Sequence, residues 1–380
     1  MLFKGSKRRF NTRLNFKNRI REFEIEDLLG RRAMDVLDPD TADFYKDRTV
    51  LITGGGGSIG SELSRQIAKC APRRLIILDN YENNAFEIRE ELVRKYGDSL
   101  KLSVEIGSVR DEARVNAIFS LYKPEIVFHA AAHKHVPLME TSGAEAVKNN
   151  CFGTYITADA AEIHGAQRFI LISSDKALNP TNVMGATKRF CEMLTLCRKD
   201  SKTVFSAVRF GNVIGSRGSV VPLFINQIKE GGPLTLTDKR MTRYFMSVSE
   251  AVGLVMKAGA EANGGDLFAL EMGEPIRIYD LAIDIIKRSG LTPFTDIDIV
   301  ETGIRPGEKL YEEPLVSTEK MLKTGNAKIY VQTDNTETRA SANEKLRLLK
   351  DAVKDAEDGA RYSAIKTTLE ALVPTFKAQE

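Results

Sequence analysis

An acid and a base stand side by side at Asp175 and Lys176, inside the run SSDKALNPTNVMGATK from Ser173 to Lys188. A protonated carboxyl can give a proton to a departing hydroxyl, and a neutral amine can take one from carbon. Together they are the parts of an elimination. Each role opposes the ionisation its residue prefers in water, and adjacency favours the ion pair further. Desolvation in a closed site has to supply the shift. The same two residues on an open surface make an ordinary ion pair. A second lysine, Lys188, closes the run, and Met184 stands four residues before it. A thioether accepts hydrogen bonds weakly and donates none, so Met184 carries no proton.

The pair follows the apolar stretch RFILI, which reads as a buried strand. From about residue 48, short β-branched runs (TVLITG, RRLIILD, KLSVEIG, PEIVFHAAA, QRFILISS, TVFSAVRFG) alternate with helical stretches. Two of those stretches are predicted at about 138–164 and 181–198. This alternation indicates βαβ units and a parallel sheet with helices on both faces. The expected fold is α/β, a Rossmann-type doubly wound parallel sheet with a smaller, interleaved C-terminal substrate lobe. The expected divisions are a basic arm and leading helix over 1–47, a dinucleotide-binding domain over 48–210, a lobe mainly over 211–334, and a peripheral helical tail over 335–380.

LITGGGGSIGSEL sets Gly54, Gly57 and Gly60 after the first strand and at the start of the first helix. Glycines there let the backbone turn tightly and approach a pyrophosphate lying on the helix N-terminus. Asp79 ends the second strand, where a carboxylate can accept hydrogen bonds from a ribose and repel a 2′-phosphate. No Arg follows in NYENN to hold such a phosphate, so NAD is favoured over NADP.

The formal charge is +3, yet residues 1–21 hold eight Lys or Arg and no acid. The rest of the chain is therefore mildly acidic, which argues against a nucleic-acid-binding body. Cys70, Cys151, Cys191 and Cys197 form no CxxC pair, and reduced thiols in a cytoplasmic protein are expected. No stretch approaches the roughly 20 apolar residues of a membrane span. The basic arm could touch anionic lipid at the inner face of a membrane.

The glycine loop, FHAAAHKHVPLME, NNCFGT, SSDKALNPTNVMGATK, RFGNVIGSRGSVVPLF, RYFM and RPGEKLYEE follow one another in a familiar order. With them the chain resembles the extended short-chain dehydrogenases/reductases. Within that group it resembles the configuration-retaining UDP-N-acetylglucosamine 4,6-dehydratases of polysaccharide synthesis. The resemblance implies an internal redox reaction. A hydride leaves carbon 4 of the sugar for NAD, water is lost across carbons 5 and 6, and the hydride returns to carbon 6. It assigns Asp175 as the acid and Lys176 as the base of the elimination. Lys188 would hold the nicotinamide ribose. Met184 stands where related enzymes carry a proton-passing Tyr, so Ser174, a hydroxyl that both accepts and donates, is the candidate for the carbon 4 hydroxyl proton.

The resemblance also implies cofactor contacts at Gly54, Gly57, Ser58, Ile59, Gly60, Asp79, Ser108, Val109, Ala130 and Ala131. Ser108 replaces the usual Asp, so weaker adenine binding is expected. Substrate contacts fall to Lys134, Asn212, Arg243, Arg305 and Glu308; an Arg fork suits a diphosphate. His129, His133 and His135 fit no zinc spacing, and no metal is expected. A homo-oligomer is expected by family analogy. The competing readings are a UDP-sugar 4-epimerase, an inverting dehydratase, and a nucleotide-binding regulator without catalysis.

Overall fold

The apolar runs of the first half lie side by side as strands. They are β1 (Thr49–Thr53), β2 (Arg74–Asp79), β3 (Leu102–Ile106), β4 (Ile126–His129), β5 (Arg168–Ile172) and β6 (Val204–Arg209). β1 and β4 are buried at every position. A strand covered on both faces needs such continuous apolar runs. The second half adds β7 (Asn212–Val213), β8 (Leu234–Leu236), β9 (Thr242–Met246), β10 (Asp266–Leu270), β11 (Pro275–Arg277), β12 (Ile299–Glu301), β13 (Leu322–Lys323) and β14 (Ile329–Gln332). This computed structural model describes residues 20–30, 37–316, 320–357 and 363–378.

The main sheet has nine strands in the order β13-β14-β10-β6-β5-β4-β1-β2-β3. From β3 to β10 the strands run parallel, and β14 and β13 close the edge antiparallel. The order reverses between β1 and β4. A doubly wound Rossmann sheet binds its ligand outside the carboxyl ends of the strands at that switch point. The fold is the one expected.

Side chains alternate across the sheet with the period of a strand. Leu51, Val127, Phe169 and Phe205 face one hydrophobic layer; Val50, Ile52, Phe128 and Ile170 face the other. A third cluster, with Val221, Phe224, Leu234 and Ile285, makes the core of the smaller lobe. There β11-β9-β7 and β12-β8 form two small sheets. β10 returns from the lobe to pair with β6, so the two parts are interleaved in sequence.

Three expectations change in detail. The predicted helix at 138–164 is broken into Val136–Thr141, Gly143–Ala146, a π-helical turn at Val147–Phe152, and Gly153–Ile163. Ser142 leaves helical dihedrals (φ −132°, ψ 48°) and ends the first piece. The helix at 181–198 runs from Val183 to Leu196. Asn182 caps it by accepting from the Gly185 N–H at 2.8 Å, which satisfies an otherwise orphaned donor. The tail, expected to be peripheral, is part of the core. Leu346, Leu349, Val353 and Leu369 share a buried cluster with Phe190 and Leu194. Its charged residues occupy the opposite side of two amphipathic helices, Arg339–Glu357 and Ser363–Leu372.

The basic arm lies, as far as residue 19, outside the described residues. Among the described residues no helix is long and apolar enough to cross a membrane.

Candidate functional site

Two connected hollows lie at the carboxyl ends of β1, β2, β4 and β5. The smaller, about 210 Å³, is lined by Gly54, Asp79, Gly107, Val109, Ala130 and Ala131 among others. The larger cleft, about 610 Å³, holds Gly54, Gly57, Ser58, Ile59, Gly60, Ala130, Lys134, Ser174, Lys176, Met184, Lys188, Asn212, Arg243, Arg305 and Glu308. Residues scattered over the sequence from 54 to 308 thus converge on one opening. The cleft lies between the sheet and the smaller lobe.

The first hollow is shaped by glycine. Gly54 has φ +65°, and a Cβ there would sit 2.7 Å from the Ala131 nitrogen. A Cβ at Gly60 would sit 2.1 Å from the Gly54 oxygen. The loop therefore folds backbone on backbone, and the helix Ser58–Lys69 begins at Gly57 with no capping side chain. Its first N–H groups are left for a ligand, which suits a pyrophosphate. Asp79 is buried, and its carboxylate accepts from the Gly56 and Tyr81 N–H groups, each at 2.8 Å. It both lines the hollow and pins the glycine loop. No Lys or Arg among the described residues lines this end. Ser108 is not in the wall: its hydroxyl accepts from Arg110, while its neighbours Gly107 and Val109 line the hollow. These residues fit a dinucleotide. For a nicotinamide dinucleotide seated here, NAD or NADP, Asp79→Ala should weaken binding by about 10–100-fold, the 2′-phosphorylated form least, since a charge-assisted hydrogen bond is worth about 1.5–3 kcal/mol. Titration of the purified protein with both dinucleotides checks this.

The reactive turn follows β5. Asp175–Ala177 form a short 3-10 turn, and Ser174 accepts from the Lys176 N–H. The Ser174 hydroxyl donates to Asp175 Oδ1 at 2.9 Å, and Lys176 Nζ donates to the same oxygen at 3.0 Å. Lys176 Nζ also lies 3.4 Å from Glu312 Oε1. Burial pulls the Lys176 amine down, but Asp175 and then Glu312 more than offset it, so its pKa is raised. The helix Val183–Leu196 packs directly beneath: a Cβ at Gly185 would be 2.3 Å from the Lys176 carbonyl oxygen. Met184 sits buried in the first turn of that helix and faces the cleft. One turn on, Lys188 is buried and donates to the Ile172 carbonyl at 2.5 Å. Burial holds its pKa below the ordinary value. The arrangement offers a hydroxyl and two amines around one space, with a carboxyl hydrogen-bonded behind them.

Asp175 is the exception in placement. Its neighbours Ser174 and Lys176 line the main cleft, but Asp175 lines a second chamber, which shares only Gly211 with the wall of the cleft. It reaches the cleft through its two hydrogen-bonded neighbours.

The strand end is held from below by a buried ion pair. Arg209 donates to Glu192 from Nε and Nη2, each at 2.7 Å, and Ser173 donates to the same carboxylate. Desolvation opposes ionisation of Glu192, but Arg209 wins and lowers its pKa to about 2. A carboxyl lowered from 4.5 gives stability that is full above about pH 4.5 and is lost as pH falls through about 2. Glu192→Gln should therefore flatten the acid limb of stability in that window. At neutral pH it should cost about 3 kcal/mol, because Arg209 keeps a buried charge without its counterion. Urea midpoints across pH measure both effects.

Arg243 lines the cleft, but much of its fork is occupied. Nη1 donates to the Thr242 and Leu310 carbonyls and Nη2 to that of Lys309. It clamps the RPGEKLYEE segment against β9. Arg305 pairs with Glu308 at 2.6 Å on an exposed edge. Asn212 donates to the Tyr244 carbonyl. Lys134 faces the same cleft. The three histidines do not converge. His129 is buried with its ring nitrogens on Thr53 and Thr154, and His133 is on Glu145. His135 lies against Gly218.

Glu312 escaped the sequence reading. It is buried between Lys176 and Arg243 Nε, 3.4 and 3.6 Å away. In sequence it stands 136 residues from Lys176, inside a charged run with no periodic signature.

A family model described as "Polysaccharide biosynthesis protein" matches residues 50–334. The chain is 51% identical over 301 residues to the probable polysaccharide biosynthesis protein EpsC of Bacillus subtilis, covering 79% of this chain and 50% of that one. It is 49% identical over 315 residues to the capsular polysaccharide biosynthesis protein CapD of Staphylococcus aureus, covering 82% and 52%. The chain thus spans about half the length of these two relatives. It is 37% identical over 295 residues to a UDP-glucose 4-epimerase of Rickettsia rickettsii, covering 76% and 83%. Among solved structures, Pen from Bacillus thuringiensis aligns with a TM-score of 0.70 at 34% identity, covering 81% of this chain and 99% of that one.

Proposed function

The chain belongs to the polysaccharide biosynthesis protein family, and from that premise we propose that it is a nicotinamide-dependent nucleotide-sugar 4,6-dehydratase. The proposed substrate is UDP-N-acetylglucosamine, and the product is its 4-keto-6-deoxy derivative. The observation that carries this reading is the bond between Lys176 and Asp175 at the cleft wall, with a side chain at 184 that holds no proton. An epimerase needs a hydride out and back at one carbon. It has no use for an acid and a base held together.

Gly54, Gly57–Gly60, Asp79, Val109, Ala130, Ala131 and Lys188 would hold the cofactor, NAD in this reading. When bound, NAD accepts a hydride from the sugar and gives it back. The protein does the rest. Lys188, cationic and tied to the strand end, favours loss of the carbon 4 hydroxyl proton. Ser174 accepts that proton. Lys176 takes the proton of carbon 5, and Asp175 supplies one, through the Ser174 hydroxyl, to the hydroxyl leaving carbon 6. For this, the proton shared by the pair must sit on Asp175, a transfer along their 3.0 Å contact. A substrate that excludes water from the cleft would favour the neutral pair over the ion pair.

The cationic lining from Lys134, Arg243 and Arg305 suits a sugar diphosphate. The test is incubation with UDP-N-acetylglucosamine and NAD, followed by mass analysis. A product lighter by one water supports the reading. An isomer of unchanged mass supports a 4-epimerase instead, the activity named for the Rickettsia relative. No change in the sugar with NAD still bound supports a regulator.

A further inference from the structure

Asp175 has two faces. Oδ1 takes hydrogen bonds from Ser174 and Lys176 on the cleft side. Oδ2 is buried and has no hydrogen-bond partner among the described residues. The side chain, 3% exposed, lines a chamber of about 150 Å³ behind the reactive turn. A Cβ at Gly211, in the wall of the same chamber, would lie 3.4 Å from Oδ2. Glu271 and Glu313 line it further out, and it reaches exposed chain at Gly273–Pro275. An orphaned carboxylate oxygen costs free energy unless something meets it. With Asp175, Glu271 and Glu313 in its wall, a space of this size has room for several waters, since one needs only about 10–15 Å³ of such volume.

The proposed reaction, on which this inference rests, gives that oxygen a task. The Asp175–Lys176 pair begins with one shared proton. Oxidation at carbon 4 sends a hydride to the nicotinamide cofactor and a proton through Ser174 to Asp175. The pair then holds two protons and contains no base. Carbon 5 cannot be deprotonated until one proton leaves. We infer that it leaves through Asp175 Oδ2 into the water of the rear chamber, so that Asp175 is a proton gate between two compartments. The books then balance. The remaining proton sits on Asp175 with Lys176 neutral. Lys176 takes the carbon 5 proton, and Asp175 gives its own, through Ser174, to the carbon 6 hydroxyl, which departs as water. The hydride returns to carbon 6 and Lys176 returns its proton to carbon 5. The chamber restores the last proton to the pair.

The test is a stopped-flow single turnover with the NAD-loaded enzyme, UDP-N-acetylglucosamine and a pH indicator in weak buffer. Reduced-cofactor absorbance is followed in parallel. Wild type should release about one proton per active site with the absorbance rise and recover it as the absorbance falls. Leu315 lines the rear chamber and not the cleft. Leu315→Phe should narrow the chamber: the absorbance still rises, the proton burst lags behind it, and product release slows by about tenfold or more. Leu315→Met, which keeps the volume, should behave as wild type. A wild-type turnover with no proton burst overturns the gate and needs no variant to do so. So does a Leu315→Phe protein, folded by its melting curve, that releases its proton on the wild-type time course. If wild type forms neither reduced cofactor nor dehydrated sugar, the proposed function itself fails and the gate falls with it.

Discussion

Lys176→Met should lower release of dehydrated product by roughly 10²–10⁴-fold, the usual worth of a positioned base. The substitution keeps most of the stem and removes the amine. Lys188, Ser174 and Asp175 remain, so carbon 4 can still be oxidised. The variant given UDP-N-acetylglucosamine should therefore accumulate reduced cofactor, visible by its absorbance, without product. In deuterated water its substrate should take up no deuterium at carbon 5. A Lys176→Met enzyme that turns over like wild type, or one that never reduces its cofactor, contradicts the role given to this amine.

Asp175→Asn should lower turnover by a similar factor but fail earlier. From the sequence, Asp175 serves elimination alone, with oxidation left to Ser174 and Lys188. In the proposed reaction the two steps are joined, because the Ser174 hydroxyl donates to the carboxylate that also holds Lys176. An amide oxygen can accept that hydrogen bond but cannot take the proton. The Asn variant should therefore slow both cofactor reduction and product release. Loss of Asp175 also leaves Lys176 with Glu312 as its nearest carboxylate. Full-speed cofactor reduction in Asp175→Asn would show that Ser174 discharges its proton elsewhere.

Much of this site could be read in advance, for definite reasons. A buried parallel strand must be a short apolar run, so β1, β4 and β5 announced themselves. Glycines between a strand and a helix have few alternative uses, and the clashes at Gly54 and Gly60 bear out the requirement for glycine there. Asp175 and Lys176 are neighbours in sequence, so their contact needed no tertiary information. What stayed hidden depends on distant contacts. Glu312 acquires meaning only when the RPGEKLYEE segment folds over Lys176. The rear chamber is bounded by residues 175 to 316 and leaves no trace in any local pattern. The tail looked peripheral because its composition is charged. Leu346, Leu349 and Leu369 show their purpose only beside the helix that carries Lys188. Ser108 turns to Arg110, a contact two residues away that spacing alone does not reveal.

The most direct measurement follows one atom. UDP-N-acetylglucosamine carrying deuterium at carbon 4 is converted by the wild-type enzyme with unlabelled NAD in ordinary water. The expected product is lighter than the substrate by one water, with its deuterium at carbon 6. Deuterium returned to carbon 4 of a product of unchanged mass, or lost altogether, would contradict the proposed reaction.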